Sequence, residues 1–142
     1  MKEYSATTTI KAAPEKIWQI LTNAQDYPEW DPYCEKIDGT IASGKRLRAY
    51  SKLSPGRAFP VKVTEFVPGH SMTWSGGMPL GLFRGERTFT LEPDGNGDIR
   101  FTVREVFSGP LLGLIGRSIP DMTAPFEAFA KGLKDRAENT EG

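Results

Sequence analysis

Cysteine and histidine are nearly absent from this sequence of 142 residues, which holds one of each, Cys34 and His70. A lone cysteine cannot form an internal disulfide, and it cannot supply the clustered thiolates of a structural zinc site. A single histidine leaves a histidine-based zinc site and a catalytic triad without the parts they need. A site built only from aspartate and glutamate stays open, but the pattern predicts no metal and no cofactor.

An excess of one charge is also lacking, since 18 lysine and arginine residues balance 18 aspartate and glutamate residues. Proteins that bind a phosphate backbone usually carry a basic excess, so we expect no nucleic-acid partner. One local basic run is present, in which a strand would place Arg46, Arg48 and Lys52 on one face. Such a row is either a solvated outer face of a sheet or a contact surface for a protein or membrane.

Long apolar runs are missing, and so are two common site motifs. No stretch approaches the roughly 18 apolar residues that span a membrane, and the chain does not begin with a hydrophobic signal core. The glycines at 109, 113 and 116 have the wrong spacing for a dinucleotide fingerprint, and there is no Gly-x-Ser-x-Gly elbow. We therefore expect a cytoplasmic protein without stable membrane insertion, folded as one domain over residues 1–142.

What the sequence does contain is one long stretch of helical periodicity, residues 109–137. Its apolar residues recur three or four positions apart and form one stripe: Leu112, Ile115, Ile119, Met122, Phe126, Phe129, Leu133 and Ala137. Pro120 and Pro125 interrupt this pattern, because each would cost on the order of 3 kcal/mol inside a helix. We predict a short helical turn over 111–117, a break ending at Pro120, and a main helix that continues to about Glu138. The turn either gates a cavity mouth or joins the last strand to the helix.

Most of the remaining chain alternates with period two and predicts strands. A first strand over residues 4–11 is followed by a helix that begins near Pro14 and by a short second helix within 26–33. About six more strands follow, separated by turns that contain glycine and proline. Consecutive hairpins of this kind predict an α+β fold, in which an antiparallel sheet curls to bury its face against one long helix.

The last predicted hairpin places two opposite charges on the apolar face of the sheet. A three-residue loop with Gly97 at a positive φ pairs Phe89 with Val103 and Arg87 with Glu105. Burying a charge is costly unless it is paired, so two interpretations stand. The pair is a structural salt bridge under the helix, or Glu105 holds the Arg87 guanidinium in position for a carboxylate or enolate of a ligand.

A second carboxylate, Glu65, falls on the apolar face of the preceding hairpin. This position requires a two-residue loop at 69–70, which sets Glu65 opposite Trp74 and leaves His70 at an exposed turn tip. A desolvated carboxylate there would hold its proton and could act as an acid or a base. The alternative is a bulge in the strand that turns Glu65 toward water.

Six segments carry a family resemblance: AAPEKIW at 12–18, YPEWDP at 27–32, VTEFVPG at 63–69, GERTF at 85–89, EVFSG at 105–109 and KDRAE at 134–138. They resemble the START-like (Bet v 1-like, SRPBCC) superfamily, and within it the polyketide cyclase/dehydrase-like and lipid-transport group. The resemblance implies the helix-grip fold, in which a curved antiparallel sheet wraps a long C-terminal helix and leaves a hydrophobic cavity between them. Members bind lipids, sterols or polyketides, cyclise or dehydrate polyketides, or act as protein-interaction modules. Many carry histidine where this chain has Arg87, and this departure weakens the enzyme interpretation because it removes a possible general base.

We expect the protein to bind a hydrophobic or aromatic small molecule, such as a lipid or polyketide, between the sheet and the C-terminal helix. The candidate ligand-binding residues are Trp30, Tyr33, Glu65, Trp74, Phe83, Arg87, Phe89, Glu105, Phe107, Met122, Phe126 and Phe129. Candidate catalytic residues, none of them firm, are Glu65, Glu105 and Arg87. The alternatives are a cyclase or dehydratase that uses the inward carboxylates, and an interaction module without ligand. We expect a monomer or a weak homodimer.

The aromatic candidates have a second interpretation, because in a small closed domain such side chains simply fill the core. Small residues on the same inward face, at Gly39, Ala49, Ser51 and Gly76, predict space that the large side chains do not fill. This reasoning favours a cavity over a filled core.

Overall fold

The computed structural model describes residues 2–139, and within them the chain forms seven β-strands and four α-helices. The strands are β1 (Lys2–Ile10), β2 (Cys34–Gly39), β3 (Arg46–Ser51), β4 (Ala58–Val67), β5 (Ser71–Gly77), β6 (Arg84–Pro93) and β7 (Ile99–Ser108). The helices are α1 (Pro14–Thr22), α2 (Tyr27–Trp30), α3 (Leu112–Ile115) and α4 (Thr123–Asn139). The predicted α+β architecture, a curled antiparallel sheet with a long C-terminal helix, is confirmed.

The strands form one sheet in the order β1-β7-β6-β5-β4-β3-β2, with every neighbouring pair antiparallel. Strands β2 to β7 follow one another as hairpins, while β1 returns to pair with β7. The helices α1 and α2 connect the two edge strands of the sheet. Helix α4 packs mainly along β1, with further contacts to β7, α1 and α2, so it covers one side of the inner face.

The N-terminal elements follow their patterns closely. Strand β1 alternates half-buried and exposed residues along its length and ends at the fully buried Ile10. Helix α1 begins at Pro14, whose missing N–H costs nothing in a first turn. It buries Ile17, Trp18 and Leu21, as its spacing predicts.

The prolines of the terminal segment act where the sequence predicts. Helix α3 and a 3-10 turn at Gly116–Ser118 come first, and Pro120 lies in the extended break that follows. Pro125 falls in the first turn of α4, where a missing N–H breaks no helical hydrogen bond. Helix α4 then runs without interruption to Asn139. The predicted stripe is therefore divided between a short helical turn and the main helix.

Aromatic side chains fill the middle of the domain. The Phe129 ring lies 4.9 Å from the Trp30 ring, 5.6 Å from Phe89 and 5.9 Å from Phe101, measured between centroids. Tyr27 lies against the same cluster, and its buried hydroxyl donates to the Leu21 carbonyl at 2.5 Å. These side chains contact one another as members of a packed core.

Candidate functional site

The β6–β7 hairpin has the predicted register. Phe89 faces Val103 and Arg87 faces Glu105, and the loop carries Gly97 at φ +89°. The Nε and Nη2 atoms of Arg87 each lie 2.8 Å from Oε1 of Glu105. The two side chains are 26% and 13% exposed, so the pair is largely buried on the inner face of the sheet.

Two neighbours shape the environment of this pair. The guanidinium carbon of Arg87 lies 4.9 Å from the centre of the Phe126 ring, at the start of α4, in a cation–π contact. The second neighbour is Gly85, whose lack of a side chain leaves room for Glu105. A Cβ atom at this position would lie 3.2 Å from Oε2 of Glu105 and 3.2 Å from the Phe107 ring. The guanidinium has more N–H donors than one carboxylate oxygen occupies, so it can bind a further acceptor.

A row of inward residues crosses four strands at this level of the sheet. Trp74 on β5 faces Arg87, which faces Glu105, which in turn faces Tyr4 on β1. Trp74 is 4% exposed, and its Nε1 has no hydrogen-bond partner among residues 2–139. Trp30 Nε1 is likewise buried and has no hydrogen-bond partner among these residues. A buried donor without an acceptor calls for an explanation, because such groups are uncommon in folded proteins.

Asp31 is a charged neighbour of Arg87 that the sequence patterns did not predict. It follows α2, is half-buried, and accepts a hydrogen bond from the Tyr33 backbone N–H at 3.1 Å. Burial raises the pKa of Asp31, and this rise is opposed by the Tyr33 hydrogen bond and by the charges of Arg87 and Lys52. The available signal was its position between Trp30 and Pro32, in a segment whose aromatic residues must be buried.

Cys34 belongs to the same neighbourhood. Burial, and after it the nearby charge of Asp31, raise the pKa of its thiol to about 12, although the charge of Arg87 opposes the rise. A thiol with so high a pKa is protonated at neutral pH and is a poor nucleophile. Cys34 is therefore an unreactive, buried side chain that contributes apolar surface to this region.

The other predicted ligand-binding residues fall into two groups. Trp30, Trp74, Phe89, Phe126 and Phe129 are all buried and belong to the hydrophobic core. A second group is only partly buried, and its members lie at or next to the ends of their elements: Tyr33 before β2, Phe83 before β6, Phe107 near the end of β7 and Met122 before α4. Within it the Phe83 and Phe107 rings stack with centroids 5.9 Å apart.

The predicted inward position of Glu65 is wrong. The β4–β5 pairing shifts between Thr64 and Val67, so that Glu65 and Phe66 together face the single residue Met72. Glu65 has φ +47° and is exposed, whereas Phe66 turns inward against Trp18 with ring centroids 5.4 Å apart. Of the two alternatives for this residue, the bulge is the one observed, and Glu65 lies outside the inner face.

The bulge also changes the partner of Trp74, which is Val63 in place of Glu65. Val67 pairs with Ser71, so the loop holds three residues and not two. His70 is exposed in that loop, as predicted. Glu65 instead borders an open depression of about 740 Å³ on the outer face of the sheet, together with Lys62 and other polar residues.

The inward glycines do not leave the space that their small size predicts. A Cβ atom at Gly76 would lie 2.8 Å from the Pro60 carbonyl oxygen, and one at Gly39 would lie 3.0 Å from Cα of Leu47. Both glycines allow neighbouring backbone to approach closely. Ala49 and Ser51, in contrast, are half-buried residues on the concave face of β3.

Neither a cluster of metal-ligating side chains nor a helix that could span a membrane is found in the described part of the chain. No group of three histidine, cysteine, aspartate or glutamate side chains within residues 2–139 is arranged to hold a metal ion. Among the helices of the same range, none combines the length and apolar character needed to cross a bilayer.

A curled antiparallel sheet closed by a long C-terminal helix defines the helix-grip class, and solved structures with this fold match the chain over nearly its full length. A START superfamily protein from Mycobacterium smegmatis superposes with a TM-score of 0.66 at 20% identity, covering 96% of this chain and 97% of that one. The Aha1 dimer from Colwellia psychrerythraea gives a TM-score of 0.72 at 23% identity, with both chains covered completely at 100%.

The di-domain ARO/CYC StfQ from the steffimycin biosynthetic pathway gives a TM-score of 0.73 at 12% identity, with 96% of this chain and 51% of that chain covered. These identities show the shared fold alone. No curated protein is significantly similar in sequence. The sequence model of one family, described as polyketide cyclase/dehydrase and lipid transport, matches residues 1–138, and the chain belongs to that family.

Proposed function

We propose that this protein binds a hydrophobic or aromatic small molecule that carries an anionic or enolic oxygen, with Arg87 as the polar anchor and Glu105 as the residue that positions it. The observation that carries the proposal is the largely buried Arg87–Glu105 pair on an otherwise apolar face. The ligand would lie at the partly buried end of the inner face, between the sheet and the start of α4.

The energetics of the pair favour a ligand role over a purely structural one. A buried ion pair often stabilises a fold no more than apolar side chains of similar volume do, because desolvation offsets the attraction between the charges. Arg87 is held by Glu105 and by the Phe126 ring, yet it keeps N–H donors for another acceptor. The unpartnered Nε1 of Trp74, opposite Arg87, is a second donor on the same face.

The surrounding side chains suit the apolar part of such a ligand. We assign the rim to Tyr33, Phe83, Phe107 and Met122, and the floor to the core residues Trp30, Trp74, Phe89, Phe126 and Phe129. Rings that bind apolar ligands gain from area burial and from edge or offset contacts. The family, which includes polyketide cyclases, dehydrases and lipid-transport proteins, supports the same chemical class.

A second candidate function is a cyclase or dehydratase that uses the same region. The observation that favours it is Asp31, whose pKa is raised by burial and which interacts electrostatically with Arg87. In a dehydration, Glu105 would accept a proton from the carbon beside a carbonyl, and Asp31 would give a proton to the departing hydroxyl. Water would leave, Arg87 would stabilise the enolate oxygen, and no cofactor would be consumed.

The proposal predicts that Arg87 discriminates between charged and neutral ligands. We would titrate the protein with an anionic aromatic probe, 1-anilinonaphthalene-8-sulfonate, and with a neutral analogue, N-phenyl-1-naphthylamine. Losing one charge-assisted hydrogen bond is worth about 1.5–3 kcal/mol, so Arg87→Met should weaken the anionic probe about 10- to 100-fold. Affinity for the neutral probe should stay nearly unchanged.

Arg104→Met is the matched control, because Arg104 forms an exposed ion pair with Glu3 on the outer face of the sheet. Arg104→Met should bind both probes with unchanged affinity. The proposal fails if neither probe binds, or if the two arginine variants weaken the anionic probe equally. Native mass spectrometry of protein purified without ligand, followed by organic extraction, would then identify any natural ligand and its class.

A further inference from the structure

Two connecting segments expose large apolar side chains at one end of the sheet. We call them together the apolar tip: residues 77–84, at the β5–β6 connection, and residues 109–119, after β7. Of the seven large apolar side chains exposed within residues 2–139, four belong to the apolar tip: Met78, Leu80, Leu82 and Leu114. Leu80 is 95% exposed and Leu114 is 79% exposed.

The two segments form one continuous surface. The Leu111 N–H donates to the Leu82 carbonyl at 2.9 Å, and the Met78 N–H donates to the Phe83 carbonyl at 2.8 Å. Gly109 has φ +113°, and a Cβ atom there would lie 2.6 Å from the Leu82 oxygen. Glycine at this position therefore allows the segments to touch.

The backbone holds Leu80 in an unusual conformation. Its φ is +63°, a left-handed value, and Gly81 follows at φ +67°. This conformation costs about 1–2 kcal/mol for a residue with a side chain. At 95% exposure the Leu80 side chain recovers almost none of that cost through packing in water. An observed strain of this kind points to a role outside the isolated domain.

The charges of the apolar tip have one sign. It contains Arg84 and Arg117 and no acidic residue. Lys2 adds a cation at its edge, because its Nζ donates to the Gly116 carbonyl at 3.1 Å. The flanking acids are Glu86, which lies 3.4 Å from Arg84, and Asp121. Exposed leucines next to cations suit the boundary between acyl chains and anionic headgroups.

We propose that the apolar tip docks on bilayers that contain anionic phospholipids, with Leu80 and Leu114 inserted among the acyl chains. A stable protein partner would need a well-fitted surface of about 800 Å² on each side. Leucines that project separately from two loops fit a deformable medium better than a rigid surface. The proposal does not depend on the ligand function, although Phe83, which we assign to the ligand site, also belongs to the apolar tip.

The first test is co-sedimentation with vesicles of phosphatidylcholine, with and without phosphatidylserine. The protein should sediment with the mixed vesicles, and added salt should weaken binding. The double variant Leu80→Ser/Leu114→Ser should lower the partition coefficient about 10- to 100-fold, because two apolar side chains lose their insertion. Val67→Ser is the control, since Val67 is 48% exposed at the opposite end of the sheet and should have no effect.

The second test locates the contact. Cys34 is the sole cysteine and is buried, so Leu80→Cys provides one reactive exposed thiol. An environment-sensitive nitrobenzoxadiazole label at position 80 should shift its emission to the blue when mixed vesicles are added. The same label in Val67→Cys should not respond.

Three results would overturn the proposal: no binding to mixed vesicles, equal dye responses at positions 67 and 80, or self-association that the double serine variant abolishes without any vesicle binding. The last result would assign the surface to a second copy of the chain. Arg87→Met should keep full vesicle binding, so failure of the ligand proposal and failure of this one can be told apart.

Discussion

The inner face of the sheet has two ends that differ sharply although the same strands build both. At the closed end, Phe89 and Phe101 are fully buried at 0% exposure, and Phe129 is 3% exposed beneath α4. At the open end, one step along the same strands, Arg87 and Glu105 are 26% and 13% exposed. The contrast separates the part of the inner face that is packed as core from the part whose polar groups stay partly exposed, where we propose that the ligand binds.

The largest expected effect is at the closed end. Phe129→Ala removes a ring that contacts Trp30, Phe89 and Phe101 at once, and it should lower the free energy of unfolding by about 3–5 kcal/mol. Phe83→Ala, at the open end, should cost about 1 kcal/mol, because its ring is only partly buried. Urea unfolding followed by circular dichroism measures both. Equal losses of unfolding free energy in the two variants would contradict the difference in packing between the two ends.

The contact between α4 and α2 gives the next largest effect. A Cβ atom at Gly132 would overlap the Trp30 carbonyl oxygen, which is backbone and cannot turn away. Gly132→Ala should therefore lower the free energy of unfolding by about 1–3 kcal/mol through overpacking. Gly113→Ala, where a Cβ atom meets nothing within 4 Å, is the control and should be close to neutral. A neutral Gly132→Ala variant would mean that the closed end is loosely packed.

The pH dependence of stability tests the electrostatics of the open end. Burial raises the pKa of Asp31, so the folded protein binds this proton more tightly than the unfolded chain does. The resulting stability is complete below the ordinary value of 3.8 and is lost as the pH rises through the higher folded-state pKa. Asp31→Asn should raise the melting temperature at pH 7 and leave it unchanged near pH 3.

The control for this experiment is Asp38→Asn, at an exposed position of β2, which should not change the melting temperature at either pH. Thermal unfolding monitored between pH 3 and pH 8 provides the comparison. A melting temperature that falls at pH 7 in Asp31→Asn would show that the ionised carboxylate is needed to balance Arg87.

The smallest expected effect concerns the bulge that turns Glu65 outward. Glu65 adopts φ +47°, which glycine accepts at no steric cost. Glu65→Gly should raise the free energy of unfolding by up to about 1 kcal/mol, and Glu65→Ala should give no such gain. Both variants should bind the anionic probe normally, because Glu65 is exposed and lies off the inner face. Loss of probe binding in either variant would show that Glu65 does contribute to the candidate site.

The candidate site was only partly predictable from sequence. Period-two alternation and a glycine turn sufficed to set Arg87 opposite Glu105, because a tight hairpin leaves one register that buries both apolar faces. The same reasoning failed for Glu65, since one extra residue in a strand reverses the facing of everything beyond it. Asp31 was missed because its burial depends on how α2 packs and not on any periodic pattern.

The sequence by itself determined the order of the elements, the α+β architecture, the break before α4 and the charge pair of the last hairpin. Those features follow from local rules: side-chain periodicity, proline geometry and the short range of a hairpin. Tertiary structure alone decided which aromatics close the core, where the bulge falls, and how two distant loops combine into the apolar tip. These depend on contacts between residues far apart in the chain, which local patterns do not specify.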